Sequence, residues 1–249
     1  EMSKDDKIKE LTLRSMEQDR QKLLMRQPFI GMILMHLDFV PITSGCRTAC
    51  TDGSRVFMNC KFYAQLDLEE RLFVLAHETW HCVLLHFARL QNRNHHKFNI
   101  ATDLEIHFIL QKEKMREPFV LPHDPDWDGL SAEEIYEKLG HKKEYGGKRE
   151  KCKKTGCCSK GFDSNEQSFD EHIYAGQAKQ DSENDPDFAP CVDAQSVEKM
   201  RQIIIQSAQT IERTQGRMPG FLQSIIEKLR KPELNWKELL KQFVTSCYG

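Results

Sequence analysis

The chain has no apolar run near the roughly 18 residues needed to cross a bilayer, so no membrane span is expected. It has no excess of one charge: Lys+Arg is 36 against Asp+Glu 38, for a formal net charge of −2 over 249 residues. A protein built to hold nucleic acid backbone usually shows a basic surplus, so that class is set aside. There is no internal repeat, and the start shows no charged-then-apolar pattern of an export signal. The nine cysteines lack any clean pair of C-x-x-C knuckles. Their odd number and irregular spacing point to reduced thiols in a cytoplasmic protein, not to a disulfide framework. Between Gly140 and Asp193 the chain almost lacks Ile, Leu, Val and Met, with only Ile173 and Val192. Such a stretch has too little to bury to order itself well.

What is present is helix with a little strand. Residues 1–27 read as an exposed N-terminal helix that Pro28 ends. Pro28 then opens a more apolar helix to Leu37. Arg47–Cys50 and Arg55–Met58 flank Asp52-Gly53, a hairpin signal. Asp67 and Glu70 have capping-box spacing and open a long helix, apolar almost all round, over Leu68–Leu90. A second apolar helix covers Phe98–Lys112, and His95 and His96 fall in a polar loop before it. Ser131 and Glu134 form another capping box, and that short helix ends at Gly140. Val197, Met200, Ile204, Ala208 and Ile211 make one stripe of a later helix. Pro219 opens the next helix and Asn235 caps a last one. The expectation is an α+β, predominantly helical fold. It has a core over 28–140, a polar and partly disordered insert over 141–193 suited to a lid or a partner site, and completing helices over 194–249.

The long helix contains His77-Glu78-Thr79-Trp80-His81, an H-E-x-x-H pattern. Residues four apart on a helix differ by about 40° in azimuth, so both imidazoles face one way and can share a metal. Glu78, beside the first ligand, is placed to take a proton from water as general base. Buried polar side chains also need partners, and a metal supplies them. The alternative is a pair of core histidines satisfied by carbonyls. A catalytic zinc takes three protein ligands and leaves one position open. His86, five residues beyond His81, is turned by about 140° on a straight helix and does not easily join. The next helix offers Asp103 and His107 on one face, with Glu105 pointing largely away. Asp103, His107, Glu105 and His123 all remain candidates for the third ligand on spacing alone.

Several pieces in order resemble a known family. They are Thr51-Asp52-Gly53 with Asn59, then Leu75-Ala76-His77-Glu78 through His81 with His86 and Arg89. Phe98-Asn99-Ile100-Ala101-Thr102-Asp103 follows, then Gly129 to Tyr136, Gly216 with Pro219, and Asn235 to Leu240. The sequence resembles the zincin-like metallopeptidase domain that precedes a von Willebrand factor A-like domain in many bacterial proteins. The resemblance implies Zn²⁺ held by His77, His81 and Asp103, with Glu78 catalytic and a protein or peptide as substrate. It also implies that the Asp52-Gly53 hairpin lies beside the metal, where an edge strand can hold an extended peptide; a plain structural hairpin is the alternative. His107 stands where the family has asparagine, as a fourth ligand or a group that contacts one. The second domain, absent after Leu240, often serves a MoxR-type ATPase in such proteins. Glu1 before Met2 reads as a tag remnant, and the abrupt end as a catalytic domain cut from a longer chain.

Two other readings compete. One is a zinc-bearing interaction module of an ATPase-linked complex, without turnover. The weaker one is a DNA-associated protease, against which the charge balance counts. Cys152, Cys157 and Cys158, with Cys191, could hold a second zinc, act as redox thiols favoured by nearby lysines, or simply be exposed thiols. Cys82, on the long helix, reads as core.

Overall fold

The computed structural model describes residues 3–118, 124–141, 185–216 and 220–230. It is mostly helical with one small sheet, which agrees with the α+β expectation. The last helix expected from Asn235 lies outside the described residues. So do Cys152, Cys157, Cys158 and His123, and all of the expected insert except its two ends.

Helix α1, Lys4–Arg26, starts at a capping box of Ser3 and Asp6. It is not the exposed helix its polarity suggests. Met16 and Leu23 are fully buried, and Asp19 and Arg20 are buried with them. The charges are tolerated because they are paired. Asp19 accepts from Tyr63 Oη at 2.9 Å, Arg71 Nε at 2.6 Å and Lys22 Nζ at 3.0 Å. Arg20 donates to the Leu37 carbonyl at 3.0 Å and lies over the Phe39 ring. Helix α2, Pro28–Leu34, has its proline in the first turn. It packs so tightly on α1 that a Cβ on Gly31 would stand 2.2 Å from the Leu24 Cα.

Three strands follow: β1, Asp38–Ile42, β2, Ala49–Thr51, and β3, Arg55–Asn59. Their order is β1-β3-β2, with β1 parallel and β2 antiparallel to β3. The β2–β3 turn is the expected hairpin, and Gly53 there has φ +87°. A Cβ at that position would meet the Phe87 ring at 2.5 Å. Strand β1 is an addition to the expected elements. It holds Pro41, which lacks a ladder donor and is tolerated because β1 is an edge. Side chains alternate across the sheet. Ala49, Val56 and Met58 enter the main core, while Ile42, Cys50 and Phe57 face a smaller cluster with Phe188 and Val192.

Those last two residues belong to a strap over 185–193. It is tied down at several points. Asp185 accepts from Thr43 N and Oγ1 at 2.9 Å each and pairs with Lys9 at 2.6 Å. Phe188 meets Phe57 edge-on at 5.2 Å, and Asp52 accepts from the Cys191 N–H.

After the short helix α3, Cys60–Tyr63, helix α4, Leu68–Val83, runs through the centre of the main core from the Asp67–Glu70 capping box. It ends sooner than its composition suggests. Leu85 adopts a left-handed conformation, φ 52°, and His86–Ala88 form a 3₁₀ turn. Arg89 donates to the Leu84 carbonyl at 2.9 Å, closing the exposed end of the helix. Helix α5, His95–Lys112, is capped by Asn94. His95 and His96 sit in its first turn, not in a loop. One side of α5 faces the main core through Ile106 and Leu110. The other packs Phe98, Leu104 and Phe108 on Trp127, Ala132 and Ile135, the last two from α6, Ala132–His141. Helix α7, Ala194–Gln215, buries the expected stripe from Met200 to Ile211, and α8, Gly220–Arg230, packs against it. No helix among the described residues is long and apolar enough to cross a membrane.

Candidate metal centre

Helices α4 and α5 bring three side chains to one point. His77 and His81 lie one turn apart, with their Nε2 atoms 3.0 Å from each other. Asp103 Oδ1 comes from α5 and stands 3.6 Å from His77 Nε2 and 3.5 Å from His81 Nε2. The ligand atoms all lie within 4.8 Å of one another. Among the described residues this is the one group of three His, Cys, Asp or Glu side chains so arranged. The donor set, two imidazoles and a carboxylate, is one that zinc accepts while keeping a further position open.

The centre is deeply buried. His77 and His81 are 1% and 2% exposed, and Glu78 and Asp103 are 0%. Its setting is apolar: Phe73 stacks on His77 with ring centroids 6.1 Å apart. Thr79, between the two histidines, turns its hydroxyl back to the Leu75 carbonyl at 2.6 Å. Cys82 touches Thr51 Oγ1 at 3.3 Å from the hairpin side. Burial pushes the Cys82 thiol up to about 12, with Thr51 pulling the other way and Glu78 and Asp52 adding to the rise. It is therefore a thiol at neutral pH and packs as core.

The remaining candidates stand elsewhere. His107 Nδ1 lies 2.8 Å from Glu117 Oε1, and its ring packs on Phe108; it is outside the group of three. Glu105 points away from Asp103, as its spacing predicts, and reaches His86, Nε2 to Oε2 3.1 Å. His86 is the residue that a straight helix misplaces. The turn at Leu85 carries it back, so that its Nδ1 lies 2.9 Å from Nδ1 of His81. A stop signal inside Val83–Leu90 could have revealed this, but that stretch has no glycine or proline. Cys46, Cys50, Cys60 and Cys82 are buried and Cys191 is exposed, each outside any disulfide.

Around this geometry the chain shows a relationship. A family model described as "Putative metallopeptidase domain" matches residues 13–249. No curated protein and no solved structure matches the chain.

Proposed function

The chain belongs to the putative metallopeptidase domain family, and from that premise we propose that it is a zinc-dependent peptidase of the H-E-x-x-H type with a zincin-like core. The convergence of His77, His81 and Asp103 within 4.8 Å carries this reading. These three residues hold the ion. A bound zinc supplies Lewis acidity, lowering the pKa of water and polarising a carbonyl oxygen. Glu78, on the same helix as both histidines, accepts the proton from the attacking water and returns it to the leaving amine. Its apolar surroundings strengthen every charge interaction made there. His77 and His81 bind as neutral rings through Nε2, which faces the shared point. The Asp52-Gly53 hairpin, in contact with α4 through Thr51 and beside the Phe87 ring of the following turn, is the element we assign to main-chain hydrogen bonding of an extended peptide.

Glu78→Gln tests the mechanism. The variant should retain its zinc and lose about 10²–10⁴-fold in turnover on peptide substrates. Unchanged cleavage by that variant contradicts the role of Glu78.

A second reading has one observation in its favour. His77, Glu78, His81 and Asp103 are each at most 2% exposed, so a peptide reaches the centre only after the surroundings move. A zinc-bearing interaction module without turnover, docked to a partner such as a MoxR-type ATPase, needs no such opening. In that case His77→Ala lowers the melting temperature sharply, while the unaltered chain cuts no member of a peptide library.

A further inference from the structure

Polar groups beyond the three ligands form a connected chain. Nδ1 of His81 lies 2.9 Å from Nδ1 of His86. Nε2 of His86 lies 3.1 Å from Glu105 Oε2. The same Glu105 oxygen accepts from the Ala132 N–H at 2.9 Å, at the start of α6. Arg89 Nη2 stands 3.8 Å from it and also pairs with Glu133. Exposure rises along the series, from 2% for the side chains of His81 and His86 to 13% for Glu105 and 27% for Arg89.

We propose that His86 and Glu105 are positioning residues that fix the ring orientation and tautomer of the metal ligand His81. The proposal rests on the zinc-site reading and extends it to residues outside the ligand set. Its logic is proton bookkeeping on neutral rings. If His81 offers its Nε2 lone pair to a metal, its proton sits on Nδ1. That N–H donates to Nδ1 of His86. The His86 proton then sits on Nε2 and donates to the Glu105 carboxylate. The carboxylate end sets the direction of the whole chain, because an ionised carboxylate only accepts. Its own place is held by the Ala132 N–H. A ligand imidazole whose other nitrogen is anchored in this way is held in the binding rotamer and made more basic. The left-handed turn at Leu85 has a purpose in this account. A continued helix would carry His86 away from His81. The left-handed region is disfavoured for a non-glycine residue, and here it delivers His86 to the ligand.

The rival explanation is that His86 and Glu105 merely tie the 3₁₀ turn to α5 and α6. Two substitutions separate them. In His86→Asn the side-chain oxygen takes the place of Nδ1, so the acceptor for His81 survives while the reach to Glu105 is lost. In His86→Gln the amide nitrogen takes the place of Nε2, so the link to Glu105 survives while the acceptor for His81 is lost. Zinc affinity, read by competition with a chromophoric chelator, should fall about 10–100-fold in His86→Gln and stay near the original in His86→Asn, whose amide oxygen only accepts and so needs no carboxylate behind it to fix the direction. The cobalt(II) absorption spectrum should change with the former and persist with the latter. Melting of the metal-free forms supplies the structural control. The opposite ranking, or equal zinc affinity in all three proteins, overturns the proposal.

A second measurement needs no substitution. In the intact zinc-loaded chain, a long-range ¹H–¹⁵N spectrum should show His81 protonated at Nδ1 and His86 at Nε2. A His86 proton on Nδ1 contradicts the relay even if no variant folds. Uptake of metal without any peptide cleavage removes the peptidase reading and leaves the relay standing. Failure of the unaltered chain to take up zinc or cobalt removes both.

Discussion

Asp19 and Asp103 are both buried carboxylates, and they are buried in different ways. Asp19, 1% exposed, is surrounded by the hydroxyl of Tyr63, the guanidinium of Arg71 and the ammonium of Lys22. Burial works to raise its pKa, but the bonds from Arg71, Lys22 and Tyr63 outweigh it and hold the carboxyl below the usual range. The chain supplies all the compensating charge, so the cluster is a structural tie between α1, α3 and α4. Asp103, 0% exposed, instead faces two imidazole nitrogens at 3.5 and 3.6 Å, and these carry no fixed charge. Buried charge needs compensation in either case. At Asp19 the partners are a hydroxyl and two cationic side chains; Asp103 stands beside two metal-ligating side chains, and in the proposed reading an ion joins them.

The two sites should therefore respond oppositely to substitution and to zinc. With zinc at about a thousandfold over its Kd, the unaltered chain should gain about 4 kcal/mol of stability. Asp103→Ala should abolish most of that gain. Asp19→Ala should instead cost roughly 2–4 kcal/mol, because it strands Arg71 in a partly buried setting, and the loss should be the same with and without zinc. Chemical unfolding of the two variants, each in chelator and in zinc, makes the comparison. A zinc-dependent loss at Asp19 would break it.

Glu113 sharpens the comparison from a third direction. Burial drives its carboxyl up to about 7, with the nearby Trp80 and Gln27 side chains pulling the other way. A raised folded pKa means that stability is fullest below the ordinary carboxylate value and declines as pH rises toward 7. Glu113→Gln should remove this decline, making the variant more stable than the original at pH 8 by roughly 2 kcal/mol. Urea unfolding across pH 4 to 8 reads it directly.

Asp185 in the strap should show the smallest and opposite effect. Burial would raise its pKa, but bonds from Lys9, Thr43 and the Asp187 N–H bring it down to about 2. Its contribution is present above the ordinary carboxylate value near 3.8 and is lost as pH falls toward 2. Asp185→Asn should cost about 1 kcal/mol at neutral pH and flatten acid unfolding between pH 4 and 2. An unchanged acid transition would show that the strap is not held by this ion pair.

Much of this architecture is legible in the amino-acid sequence. The capping boxes at Asp67–Glu70 and Ser131–Glu134, the hairpin at Asp52-Gly53 and the stripe on α7 follow from short-range rules, and the structure has them. The pairing of His77 with His81 follows from helix geometry alone, since both sit on one unbroken helix. Only the family resemblance separates Asp103 from its rivals, because its distance from the histidines depends on how α4 and α5 pack. Three features leave no such local trace. The polarity of α1 hides its burial, since Asp19 and Arg20 are satisfied by residues farther along the chain. Strand β1 is hidden by its length and by Pro41. The early end of α4 is hidden because Leu85 takes a conformation no local signal marks, and the contacts around it come from Arg89 and Glu105. That last concealment also covers the role proposed for His86.

Metal analysis of the purified chain, beside Asp103→Ala, asks whether His77, His81 and Asp103 hold an ion together. About one zinc is expected per unaltered chain and little or none in the variant, with the variant still folded by circular dichroism. Equal metal content in the two proteins would contradict it.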